Sequence, residues 1–167
     1  MALLSLLLLL SLMGCFNPFA PKLVDDMDST DLVVTNQQSP DEVLQNFKVA
    51  YTFRDSLLYS DLLDTSFLFK YYDPDEGASG GILTWTKETD LYITGRLFRH
   101  FEIIDLVWNT TLYEWENEET GQISRGYSLT LIGEDSDYQL SGRAIFSFKK
   151  CVDERWRITD WKDESDI

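Results

Sequence analysis

Tyr138-Gln139-Leu140-Ser141-Gly142-Arg143-Ala144-Ile145-Phe146-Ser147-Phe148-Lys149-Lys150 alternates with a period of two: after Tyr138 the even positions as far as Phe148 are apolar or small, and the odd ones are polar apart from Ile145. Successive side chains of a strand point to opposite faces, so the pattern specifies a long strand with one greasy face and one wet face. Val152-Asp153-Glu154 then turns the chain into a second run, Arg155 to Trp161. A hairpin this long needs a further layer against its apolar side.

The material for that layer lies upstream. The chain has 167 residues, 44% hydrophobic and 14% aromatic, which suits one well-buried core and not two. Its net charge of -15 comes from 29 acids against 14 bases. Such a surface repels phosphate backbones and argues against nucleic acid as a partner, and solubility alone accounts for it.

Ser39-Pro40-Asp41-Glu42 is a helix start: Ser39 caps, Pro40 has no N–H to leave unpaired, and Glu42 can complete a capping box. Val43, Leu44, Phe47, Ala50 and Tyr51 follow at helical spacing up to Phe53. Asp55 caps a second short helix carrying Leu57, Leu58, Leu62 and Leu63, and Phe67, Phe69 and Tyr71 then alternate in a strand that stops at Asp73-Pro74. Asp75 to Gly81 reads as a loop, and Thr84 or Thr86 caps a third helix running to about Phe98. Gly95 inside that helix suggests close packing. His100 to Glu116 has apolar residues on both faces, which suggests a central, bent or bulged strand, and Tyr127, Leu129 and Leu131 alternate in the strand after it. Early helices followed by consecutive strands with hairpin-length turns give an α+β domain with an antiparallel sheet.

The N-terminus reads as an address. Leu3 to Leu12 is too short to span a bilayer, which needs roughly 20 residues, and fits the apolar core of a secretory signal. Leu12-Met13-Gly14-Cys15 resembles the lipobox of bacterial lipoproteins. The resemblance implies a signal peptide over 1–14, lipidation of Cys15, and anchoring to the cell envelope, on the periplasmic side of the outer membrane. Residues 15–38, with Pro18, Pro21, Asp25, Asp26, Asp28 and Asp31, then form an acidic tether, though Leu32-Val33-Val34 could dock on the domain's flank. Cys151 is left as a free thiol at a strand end, packing as a small hydrophobe.

With Ser39-Pro40-Asp41-Glu42 opening the first helix and Trp156-Arg157-Ile158-Thr159-Asp160-Trp161 closing the last strand, the element order over 39–167 resembles the NTF2-like superfamily. That likeness implies a curved antiparallel sheet wrapped around N-terminal helices, a cone with a cavity, in which Phe47, Tyr51, Trp108, Phe146 and Trp156 line the pocket. It also implies a homodimer through the sheet. The superfamily holds enzymes, ligand binders and interaction modules, so the likeness leaves function open. In the ketosteroid isomerase-like arrangement a carboxylate base would match Asp73, but Phe47 and Ala144 occupy the positions of the tyrosine and the second acid.

Two other groups are candidates for proton transfer. Asp160 shares a strand face with Trp156 and Ile158; if that face lines the cavity it is a carboxylate among aromatics, and in the other register Trp161 lines the cavity and Asp160 is solvated. An ion pair with Arg143 or Arg157 would be its structural role. His100, the one histidine, sits at a helix-to-strand junction. One His and one unlipidated Cys make no zinc set, so no metal or other cofactor is expected. The expected function is a membrane-anchored, non-catalytic module for a small apolar ligand or a protein partner; the alternative is a cofactor-free dehydratase or isomerase using a carboxylate base in the pocket.

Overall fold

The computed structural model describes residues 33–165. Leu3 to Leu12, Cys15 and the tether as far as Leu32 lie outside the described residues. Val33 and Val34 are exposed. Thr35 is held by hydrogen bonds: its N–H and Oγ1 both reach Oδ1 of the fully buried Asn46, at 2.7 and 3.1 Å. Gln37 is also buried, and its carbonyl accepts the Trp156 N–H at 2.8 Å.

Helix α1 (Pro40–Phe53) begins where Ser39 Oγ accepts the Glu42 N–H at 3.2 Å, while the Glu42 carboxylate turns back to the Gln38 N–H at 2.7 Å. Arg54 closes it in the left-handed conformation, at φ 56°. Asp55 Oδ1 accepts the N–H groups of Leu57 and Leu58, both at 2.9 Å, to start α2 (Ser56–Leu62). The inward stripe of α1 is Val43, Leu44, Phe47, Ala50 and Tyr51; Phe53 and Leu57, expected to follow it, are 60% and 85% exposed because the chain turns at Arg54.

Strand β1 (Leu63–Asp73) is followed by β2 (Gly81–Thr86), helix α3 (Lys87–His100), and strands β3 (Phe101–Glu116), β4 (Thr120–Gly133), β5 (Asp137–Lys150) and β6 (Trp156–Ser165). Of the two threonines expected to cap the third helix, Thr86 does occupy the N-cap of α3, without a side-chain cap bond, while Thr84 lies within β2, a strand not expected from the sequence. It is an edge strand of six residues that exists by pairing with β1, Phe69 opposite Trp85. Gly95 is also not a point of close approach: a Cβ there would meet only Arg99 Nη1, at 3.5 Å.

The six strands form one curved, unclosed sheet in the order β2-β1-β6-β5-β4-β3. Four neighbouring pairs are antiparallel as the short turns require, but β1 and β6 run parallel, so the sheet is mixed. Those two strands are the first and last of the domain, and no turn length in the sequence constrains how they meet. β3 is bulged as expected, with register shifts at Phe101/Ile103, Trp108/Thr111 and Thr111/Tyr113, yet it is an edge strand and not a central one. Helix α1 lies in the bend against β3, β4 and β6, and α3 covers β1, β2 and β3. Phe47, at the middle of α1, is ringed by Tyr51, Tyr59, Trp108, Phe146 and Trp161 at centroid distances of 4.7 to 5.7 Å.

Candidate functional site: an aromatic cavity with one carboxylate

The geometry of the site is decided by one extra residue in β6. Phe148 pairs with Ile158, but Ser147 pairs with Asp160, which leaves Thr159 as a bulge whose Oγ1 donates to the Ser147 carbonyl at 3.2 Å. Before the bulge Trp156 and Ile158 point inward; after it the parity reverses, and Trp161 and Asp163 do. Asp160 is therefore on the outer face, where it pairs with Lys70 Nζ at 2.6 Å, and not with Arg143 or Arg157.

What remains open inside the cone is a cavity of about 160 Å³. Its walls come from α1 (Phe47, Tyr51), from β1 (Phe69), from Leu97, Leu106 and Trp108, from β4 (Tyr127, Leu129) and β5 (Leu140, Ala144), and from Trp161 and Asp163. Phe146 and Trp156, expected to line the pocket, are packed in the solid core instead. Trp108 is fixed by its Nε1–H, which donates to the Leu44 carbonyl at 3.0 Å. Trp161 stands edge-on to Phe47 and Phe69, and its buried Nε1–H has no acceptor among the described residues.

Asp163 is the one charged side chain in that lining. Burial raises its carboxyl above the ordinary carboxylate range, and the Tyr127 hydroxyl, donating to Oδ1 at 2.9 Å, offsets part of that. Asp163 also lines a wider mouth of about 860 Å³, together with Tyr71, Leu112, Gly142, Arg143 and Glu164, so it stands at the neck between cavity and exterior. Sequence reasoning passed over it because it lies beyond the bulge, in an acidic tail whose facing cannot be read without the register. The one available signal was its spacing of two from Trp161.

The other predicted groups are elsewhere. Asp73 ends β1 and its Oδ1 accepts the Asp75 N–H at 2.9 Å, closing the turn after the strand; it does not line the cavity. His100 is exposed at the end of α3, edge-on to Phe101 at 4.8 Å. Cys151 is a free thiol, half-buried, with Sγ 3.6 Å from Asp64 Oδ2. A second buried carboxylate, Asp90, accepts from the Tyr59 hydroxyl at 2.7 Å and from Trp85 Nε1–H at 3.1 Å, and so ties α2 and β2 to α3 behind the cavity wall. Burial raises the hydroxyls of Tyr51 and Tyr59 well above the ordinary value, so both stay neutral donors. Among the described residues no group of three or more His, Cys, Asp or Glu is placed to hold a metal ion.

This fold, a helix held in the bend of a six-stranded mixed sheet, has counterparts among solved structures. An NTF2-like superfamily protein from Salmonella enterica serovar Typhimurium superposes with a TM-score of 0.60 at 12% identity, covering 74% of this chain and 85% of that one. An NTF2-like protein from Cytophaga hutchinsonii gives 0.58 at 16% identity, covering 74% and 93%. The domain has the NTF2-like fold. A conserved protein from Planctomyces limnophilus superposes on this NTF2-like domain with a TM-score of 0.64 at 16% identity, covering 75% of this chain and 91% of that one. No family model and no curated protein matches the sequence. At these identities the likeness carries the fold, and the activity of this NTF2-like domain has to be argued from its own cavity.

Proposed function

We infer that the chain is a lipid-anchored envelope protein whose NTF2-like domain holds a small, largely apolar ligand in the cone and releases it unchanged. The observation that carries this reading is the aromatic cavity of about 160 Å³, opening past a single carboxylate into a wider mouth. An apolar cavity of ~150 Å³ accepts benzene, so a one-ring compound or its equivalent is the right size. The Leu3–Leu12 run and Leu12-Met13-Gly14-Cys15 support the anchor. The candidate bases Asp73 and Asp160 are committed to a turn and to an ion pair, which supports binding over turnover.

The test is a thermal melt of the full chain in mild detergent with toluene as probe. Occupancy at 100 times the Kd adds ~2.7 kcal/mol to stability, a shift of several degrees. Leu140→Trp, at the partly exposed rim of the cavity, is expected to remove the shift without lowering the melting temperature of the free protein by more than a few degrees. A melt unshifted by toluene rules out an uncharged one-ring guest, and a melt unshifted by small apolar and cationic probes alike rules the reading out.

A second reading, a cofactor-free isomerase or dehydratase, draws on Asp163, whose raised carboxyl and Tyr127 partner are the features of an acid–base group. It replaces Asp73 and Asp160 as the residue on which such chemistry would depend.

A further inference from the structure

The cavity carries a charge problem that narrows its ligand. Asp163 brings a carboxylate to a wall otherwise made of Phe47, Trp108, Tyr127, Trp161 and their aliphatic neighbours. No salt bridge among the described residues reaches it. The two bases beside it in the sheet are both taken by Glu164: Lys162 Nζ lies 2.6 Å from Glu164 Oε1, and Arg143 grips Oε2 through Nε and Nη2. The Tyr127 hydroxyl, the Ser165 side chain and the Glu164 backbone supply neutral hydrogen bonds and no opposite charge. A carboxylate partly removed from water without a cation is costly, and an incoming cation would offset that cost.

The rest of the wall favours the same guest. Aromatic faces attract cations through their quadrupoles, and a cage of several rings closed by a carboxylate suits alkylated ammonium groups, which are large, apolar at the surface and positively charged. The net charge of -15 draws such cations in and repels anions.

We propose that the cone cavity binds a small organic cation, a protonated or quaternary amine, with Asp163 as its counter-ion and Phe47, Trp108, Tyr127 and Trp161 as its aromatic cage. This rests on the reading of the cavity as a ligand site and adds the charge of the ligand. The trimethylammonium end sits among the rings, and a short polar tail reaches the mouth beside Ser165 and Glu164.

The experiment is isothermal titration of the full chain at neutral pH with four probes: choline, its uncharged carbon isostere dimethylbutanol, the isosteric anion dimethylbutyrate, and toluene. Choline is expected to bind at least about tenfold more tightly than dimethylbutanol, and the anion not at all. Asp163→Asn is expected to erase the preference for choline over dimethylbutanol. If dimethylbutanol or toluene binds as well as choline, the cation assignment falls and the apolar ligand site stands; if none of the four binds, both fall. The four-probe comparison is made on the unaltered chain, so it decides the matter even where Asp163→Asn does not fold.

Discussion

Asp64 shows how a single side chain can set the acid limit of a fold. It is buried at the start of β1; burial alone would raise its carboxyl, but Ser66 Oγ–H at 2.7 Å, Ser66 N–H at 2.9 Å and Lys149 at 3.5 Å outweigh that and hold it at about 2. A carboxyl depressed from 3.8 stabilises the fold fully above that value, and its contribution is lost as pH falls through about 2. The Asp64→Asn variant is therefore expected to lie below the wild type by a constant margin above pH ~5, about 2 kcal/mol of which disappears between pH ~4 and ~2. Melting curves at several pH values read the margin directly. The two cavity tryptophans offer a second contrast. Trp108→Phe loses the hydrogen bond to Leu44, whereas Trp161→Phe removes a donor that has no acceptor, so the first is expected to cost about 1–2 kcal/mol more in urea unfolding.

At the scale of elements, α3 and β6 show what a single position can decide. Gly95 has no positive φ and no crowding neighbour, so it lowers the helix propensity of α3 without a compensating contact. Gly95→Ala is expected to raise stability by about 0.5–1 kcal/mol, measured by denaturant midpoint; a loss would mean that the helix needs the gap. In β6 the bulge at Thr159 exchanges the two faces of the strand. It sends Asp160 to Lys70 and brings Asp163 into the cone, so the identity of the site's carboxylate is a consequence of register and not of residue type. β2 shows the same dependence on pairing: Ile82, Thr84, Trp85 and Thr86 favour a strand locally, and β1 offers the edge on which it forms.

For the whole molecule, two proposals bear on where and with what it works. Anchoring through Cys15 predicts that Cys15→Ser moves the chain from the detergent phase to the aqueous phase; unchanged partitioning would remove the anchor. Self-association through the sheet is the assembly we propose, because the far half of β3 leaves Leu112 and Trp115 58% and 40% exposed on an edge strand. Light scattering is expected to give the mass of two protomers, and Trp115→Glu to halve it. A monomer from the unaltered chain would refute it.

The sequence by itself determined the elements with strong local signals: the Ser39 and Asp55 caps, the stripe of α1, the alternation of β5, and so an α+β domain with the NTF2-like fold. Those signals act within a few residues, through capping bonds and through side chains that alternate on a strand. Three features were settled only when the chain closed on itself: the parallel contact of β1 with β6, the pairing that makes β2 a strand, and the bulge that turns Asp163 inward. Each depends on which backbone groups meet between strands, and local preference alone does not encode that meeting.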